Sequence, residues 1–224
     1  MTLLDPAPPT TPLSLAMREG SRAAHTEAES SAFMAELAAA RTNALGVRDY
    51  LLRFREVYRT LEALGSELGS HPAVAAVVDP ALDRLPALQS DLAFWSAAAS
   101  APAPARFESP ATTAYVDRLL AAREWPPLLV AHHYTRYLGD LSGGQVIGRV
   151  LDREHGLGGQ GVAFYAFPLI PKPKPYKDGY RARLDALDLT PQERLRVVDE
   201  VSTAFRLNQD VFTELGADLD RYRR

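Results

Sequence analysis

Apolar residues recur along this chain at helical rather than strand spacing. Between Trp125 and Leu157, Leu129, His133, Tyr137 and Leu141 fall along one line, with no alternation of the kind a strand shows. Pro126 and Pro127 suit the opening of that segment, because an N–H in the first turn has no intrahelical partner. The spacing predicts one long helix over 125–157. Its middle nevertheless holds Gly139, Gly143, Gly144 and Gly148. Each interior glycine costs roughly 1 kcal/mol relative to alanine, so the set costs about 4 kcal/mol, a large share of a net stability of roughly 5–15 kcal/mol. They form two i, i+4 pairs, Gly139/Gly143 and Gly144/Gly148, each stacked on one helix face. A face without side chains admits a flat molecule or a second helix close to the backbone, and Ser142-Gly143-Gly144 is a place for a kink. Asp140 sits among them, an acid in a largely apolar helix. Spacing alone leaves two readings open: close helix packing with Asp140 turned to solvent, or a bare wall over a bound group. A phosphate loop is disfavoured, since no strand precedes the glycines and no Gly-Lys-Ser/Thr follows them.

The same periodicity predicts further helices. One pattern opens at Pro12 and runs to about residue 40, with a break near Ser30-Ser31; another, over 47–68, carries Tyr50, Phe54, Val57, Tyr58, Leu61 and Leu64. Asp79-Pro80 marks a turn before a helix over 81–98. A loop over 100–110 ends in Ser109-Pro110, a capping residue followed by proline at the first helical position, and a fourth helix runs to about residue 123. Glycine and proline fill 156–175, where Pro171, Pro173 and Pro175 argue against regular structure. Helical character resumes over 175–187. Thr190-Pro191-Gln192-Glu193 is a capping box that opens a last helix to about residue 222. Residues 1–11, rich in proline, are expected to form a loose tail, and 12–224 a single all-α domain.

Composition narrows the function. A chain of 224 residues with 46% hydrophobic content can bury a substantial core, and a net charge of −3 gives no global footprint for nucleic acid. The absence of cysteine excludes disulfides, thiolate catalysis and thiolate metal sites. No secretory leader is legible at the start, and no apolar run approaches the roughly 18 residues of a membrane span, so a soluble cytoplasmic protein without a membrane anchor is expected. Among the histidines, His71 precedes a proline, His132 and His133 are adjacent and point about 100° apart, and His155 lies near a helix end. No His-Glu-x-x-His occurs, which argues against a zinc protease. Arg18, Arg22, His25 and Glu29 are spaced i, i+4, i+7 and i+11, within about 60° of one another on a helix. Glu29, one turn beyond His25, is placed to hydrogen-bond the imidazole and fix its tautomer. The alternative is a solvated charged face with an incidental histidine. Lys177 and Arg181 likewise share a face, either for one anion or for solvent.

The stretch Tyr134 to Gln145, YTRYLGDLSGGQ, resembles the signature of the haem oxygenases, without a gap. Three more segments are similar to that family: His25-Thr26-Glu27-Ala28-Glu29, the K-x-x-Y-R-x-R of 177–183 and the TAFxLNxxxF of 203–212. The resemblance covers about Pro12 to Phe212. It implies a multi-helix bundle with haem sandwiched between a proximal helix and a kinked, glycine-rich distal helix. His25 would be the axial ligand of the haem iron, oriented by Glu29. Arg18, Arg22, Lys177 and Arg181, with the hydroxyl of Tyr134, would hold the propionates, and Ser142 and Phe205 complete the haem-binding set. Members often carry lysine at the positions of Arg18 and Arg22; arginine keeps the charge and adds a fork suited to carboxylates. Gly139 and Gly143 would form the bare wall, while Asp140 anchors a water that delivers protons, helped by Tyr58 and Arg136.

The implied activity is oxidative cleavage of haem, at once substrate and cofactor, to biliverdin, CO and ferrous iron, with the α isomer expected. It consumes O2 and electrons from outside, since the chain has no flavin or nicotinamide fingerprint. A ferredoxin, flavodoxin or reductase is therefore the expected partner, docking on a monomer near its basic surface. Two other readings compete. A haem carrier or sensor on the same fold needs neither Asp140 nor a bare distal wall. A helical enzyme of thiaminase-like architecture leaves the Arg18/Arg22/His25/Glu29 face unexplained and lacks a cysteine nucleophile.

Overall fold

Two long helices carry the core, and the others pack around them. The computed structural model describes residues 11–101 and 107–224, with the Glu29 side chain outside the described set; residues 1–10 of the tail expected over 1–11, and the middle of the 100–110 loop, also lie outside it. In chain order the helices are α1 (Leu13–Gly20), α2 (Arg22–Glu29), α3 (Ala32–Ala38), α4 (Ala44–Glu67), α5 (Pro72–Ala75), α6 (Leu85–Ala98), α7 (Pro110–Leu120), α8 (Pro127–Gly139), α9 (Gln145–His155), α10 (Pro173–Asp185), α11 (Pro191–Gly216) and α12 (Leu219–Tyr222). Thr42 and Arg223 form an isolated antiparallel bridge, and no strand occurs among the described residues. The fold is all-α. No helix among the described residues is long and apolar enough to cross a membrane.

α4 and α11 form as their sequences dictate. Asn43 caps α4 by accepting the Gly46 N–H at 3.0 Å, and the capping box at Thr190 and Glu193 opens α11. The stripe on α4 is buried, Phe54, Val57, Tyr58, Leu61 and Leu64 each at 1% exposure or less. That face packs against α6 and α7, while α11 packs against α8, α7 and the three N-terminal helices. The N-terminus of α6 has no side-chain cap of its own; Glu62 of α4 accepts the Arg84 and Leu85 N–H groups at 2.6 and 3.0 Å.

Outside the 125–157 segment the structure differs from the periodic reading at several places, and the helix expected from 81 opens at Leu85 after a 3-10 turn over Pro80–Leu82. The first helical pattern breaks at Ser21 as well as at Ser30-Ser31. Ser21 donates its hydroxyl back to the Met17 carbonyl at 2.7 Å, a bond that bends helices. Beside it, a Cβ on Gly20 would stand 2.5 Å from Val198, so the glycine lets α1 lie against α11. A short α5, capped by His71 accepting the Ala73 N–H, was not legible. α10 starts at Pro173, because Pro173 and Pro175 lie in its first turn, where no N–H is needed. The last helix ends at Gly216, and α12 then brings Tyr222 onto Gly46 and Asp49 of α4.

α7, α8 and α11 meet at one buried carboxyl, that of Glu200. Glu200 accepts from Arg118 Nε at 2.8 Å and pairs with His132 Nε2 at 2.9 Å. Burial pushes the Glu200 carboxyl up, but the bonds from Arg118 and His132 outweigh it and bring it down to about 2. A carboxyl lowered on folding contributes stability that is full above its unfolded value of roughly 4.3 and is lost as pH falls towards the folded value. Glu200→Gln should lower stability at neutral pH by about 1–3 kcal/mol, softened because Arg118 is 41% exposed. Thermal unfolding of the variant should also fall less steeply than wild type as pH drops from about 4.3 to 2. Parallel curves would remove Glu200 from the acid transition.

Candidate functional site

The predicted 33-residue helix over 125–157 is two helices joined by a wide turn. α8 ends at Gly139, Asp140–Gly144 form one π-helical turn, and α9 follows directly. A π turn adds a residue to the regular ladder and re-aims what lies beyond it. Gly139 and Gly144 keep helical backbone angles (φ −62° and −54°), so these glycines serve space rather than conformation. A Cβ added to Gly139 or Gly143 meets nothing within 4 Å, whereas one on Gly148 would stand 2.5 Å from the Cβ of Tyr165. The bare wall and the close packing predicted as alternatives are both present, at different glycines.

That wall borders a cleft of two connected chambers. The outer one, about 730 Å³, is lined by Arg18, Arg22, His25, Tyr134, Arg181 and Phe205 together with the glycines. The second, called inner because it reaches the buried Arg136 and Asp140, holds about 420 Å³, is lined also by Tyr50, Tyr165 and Asn208, and opens to solvent beside Val146. Both are bordered by His25, Thr135, Gly139, Gly143 and Phe205. The His25 ring is exposed to the cleft and meets the edge of Phe205, with centroids 5.1 Å apart and planes at 71°.

Behind the wall, Asp140 is only 5% exposed. Tyr58 donates its hydroxyl to Oδ2, and Arg136 reaches Oδ1 from Nη2 at 3.3 Å. Arg136 is itself fixed from three sides: Nε donates to the Tyr58 oxygen at 3.1 Å, Nη1 to Asn208 Oδ1 at 2.7 Å, and its guanidinium lies 4.5 Å from the Phe54 ring centroid. Burial pushes the Asp140 carboxyl above its ordinary value against the pull of Arg136. Burial works against the Arg136 charge too, but Tyr58 and Asp140 outweigh it and the guanidinium is held charged. Burial likewise keeps the Tyr58 phenol protonated. The cluster is a proton-holding group at the edge of a cleft that solvent reaches.

The outer chamber is cationic. Tyr134 is raised by burial and pulled back by Arg181 and Arg18, so both cations stand near its phenol. Lys177 donates from Nζ to Ser142 Oγ at 2.8 Å, tying α10 to the π turn; burial and the nearby Arg181 lower its ammonium. An exposed imidazole, a wall open where a Cβ would stand, and cations grouped at one chamber fit a flat, metal-bearing molecule with acidic substituents.

The chain is similar to proteins that are already known. A family model described as Heme oxygenase matches residues 11–214. The chain belongs to the haem oxygenase family. It is 39% identical over 212 residues to heme oxygenase 1 of Pongo abelii, covering 91% of this chain and 71% of that one. Against heme oxygenase 1 of Nostoc sp. the identity is 36%, covering 91% and 85%. The structure also matches the crystal structure of heme oxygenase-1 from the cyanobacterium Synechocystis in complex with heme, with a TM-score of 0.86 at 33% identity over 94% of this chain and 95% of that one.

Haem oxygenase signatures in the sequence thus converge on one cleft. Arg18, Arg22, His25, Tyr134, Gly139, Ser142, Gly143, Arg181 and Phe205 all line the outer chamber, and Arg136 and Asp140 the inner one. Tyr58 stands behind Asp140 and touches the site through it. Lys177 lines neither chamber and reaches the cleft through Ser142, while Arg181 also bonds Asp178 at 3.1 Å. The expected bond from Glu29 to His25 rests on a side chain outside the described residues. Sequence reasoning missed Glu19, which adds an acid beside the cations, and Tyr50 and Tyr165 in the inner chamber. It left Asn208 without a role inside the 203–212 motif; an amide on the i, i+4 row of Ala204 and Phe212, the buried face of the last helix, was the available signal.

The glycines make opposite predictions for stability. Gly139→Ala should leave haem-free protein as stable as wild type or up to about 1 kcal/mol more so, while hindering approach to the distal wall. Gly148→Ala should cost about 1–3 kcal/mol by overpacking against Tyr165. Denaturant unfolding of the two variants without haem checks both, and equal loss in each would mean that Gly139 is not facing open space.

Proposed function

We infer that this haem oxygenase cleaves haem to biliverdin, CO and ferrous iron, using O2 and electrons supplied by another protein. One arrangement carries the reading: an imidazole and a glycine-bare helix face the same cleft, with a buried carboxyl behind the glycines. Haem supplies both the iron that activates O2 and the ring that is cut.

His25 holds the iron, with the Phe205 edge limiting rotation of its ring. A neutral imidazole lacks the electron push of a thiolate that favours O–O cleavage. Glu29, one turn further on, is assigned to orient it. Arg18, Arg22 and Arg181 take the propionates, Lys177 swinging from Ser142 to join them and Tyr134 contributing its hydroxyl. Because these acids distinguish one edge of the ring from another, the cationic side of the chamber selects the carbon attacked, and the α position is the one proposed. Gly139 and Gly143 leave room for O2 against the backbone. Asp140 acts through a water rather than by touching the iron: its carboxyl holds the water, Tyr58 and Arg136 fix the carboxyl, and protons pass by that route to the reacting oxygen. Electrons come from a ferredoxin, flavodoxin or reductase meeting the basic surface of a cytoplasmic monomer.

Two variants test the assignment. His25→Ala should lose the histidine-ligated absorption spectrum of the haem complex, and an unchanged spectrum would remove it as the ligand. Asp140→Ala should bind haem as wild type does and slow biliverdin formation by roughly 10²-fold or more. Turnover at the wild-type rate, followed by absorption under air with a reductant, would exclude the water route.

A further inference from the structure

Tyr165 is held in place more firmly than a loop residue usually is, and its hydroxyl is left without a partner. It closes the short 3-10 turn Ala163–Tyr165. Asp91 of α6 fixes that turn by accepting the Ala163 and Phe164 N–H groups at 3.0 and 2.7 Å. On one side the ring is seated against Gly148, where a Cβ would not fit. On another it meets Phe164 edge-on at 4.9 Å, and Phe164 in turn meets Tyr58 at 5.4 Å. The residue is 5% exposed, and its buried hydroxyl has no hydrogen-bond partner among the described residues. A buried donor left unpaired forfeits its whole hydration, and a rigid mount prevents it from turning to find a substitute.

The residue lines the inner chamber, whose other polar side chains are His25 from α2, Tyr50 from α4, Thr135, Arg136 and Asp140 from α8 and the π turn, and Asn208 from α11. The charged and titratable groups that act on the Tyr165 phenol are Tyr50, Asp91, Asp140 and Arg136. The chamber holds about 420 Å³, room for several waters at about 30 Å³ each. We propose that Tyr165 is a positioning residue for the reaction: its hydroxyl, with that of Tyr50 nearby, anchors a buried water in the inner chamber that bonds onward to Asp140. The proton route would then have a second, inner support, and the glycine at 148 exists to seat it. This rests on the reading of Asp140 as the group that delivers protons.

Tyr165→Phe removes one oxygen and keeps the ring. Without haem, loss of the bond to a held water should lower the unfolding midpoint by roughly 2–4 °C, whereas deletion of a truly unpaired hydroxyl would raise it or leave it unchanged. With haem, the variant should bind with wild-type affinity and form biliverdin roughly 2- to 10-fold more slowly, with a larger solvent deuterium isotope effect. Tyr50→Phe should move the same quantities in the same directions. Asp140→Ala is measured beside them. If it is slow while Tyr165→Phe matches wild type in rate, isotope effect and midpoint, the role of Tyr165 is overturned and that of Asp140 stands. If Asp140→Ala is also as fast as wild type, both readings fall.

Discussion

The constraint on which the site depends is the burial of a carboxylate beside a guanidinium. Asp140 and Arg136 are 5% and 8% exposed, and charges so far from water persist only when geometry and hydrogen bonds compensate the lost hydration. Here the compensation comes from three helices at once: Tyr58 and Phe54 from α4, Arg136 from α8, and Asn208 from α11. The helices that carry the core are therefore also those that fix the acid. Loosening any one leaves a buried charge short of partners, which is why a functional cluster and a packing junction coincide.

The helix above the cleft divides its work between two faces. Gly139 and Gly143 present open backbone, and Gly148 presents a seat for Tyr165. Had all four glycines served packing, the segment would be an ordinary helix crossing; had all served the cleft, nothing would pin α9 to the turn over 163–165. The cost of four interior glycines, about 4 kcal/mol by propensity, is offset partly by that contact and partly by the Lys177–Ser142 bond from α10.

Much of this was legible in the sequence, and the limits of legibility have physical causes. Helical periodicity located the long helices because each buries one face, and the stripe from Tyr50 to Leu64 marks that face of α4 directly. Motif resemblance singled out His25, Asp140, Arg18, Arg22 and Arg181, which the structure brings to one cleft from segments more than a hundred residues apart. The break at Ser21 was invisible because it is a side-chain bond back to Met17, and spacing does not tell a serine that makes this bond from one that points to solvent. The start of α10 was misplaced because proline reads as a breaker unless the first turn is known. Tyr165 went unassigned because its meaning lies in what it touches, Gly148 and a chamber, and neither is a property of the local sequence.

The wide turn at Asp140–Gly144 has a consequence for register. One surplus residue sets the angular phase of everything after it, since each helical residue turns the chain by about 100°. Excising a single residue there would restore an unbroken ladder and wind α9 round by that amount. Val146, now 51% exposed, would be carried to a different bearing, and the notch at Gly148 would no longer meet its aromatic counterpart. Insertions and deletions in this short arc should be tolerated far less well than substitutions, because they alter phase rather than chemistry.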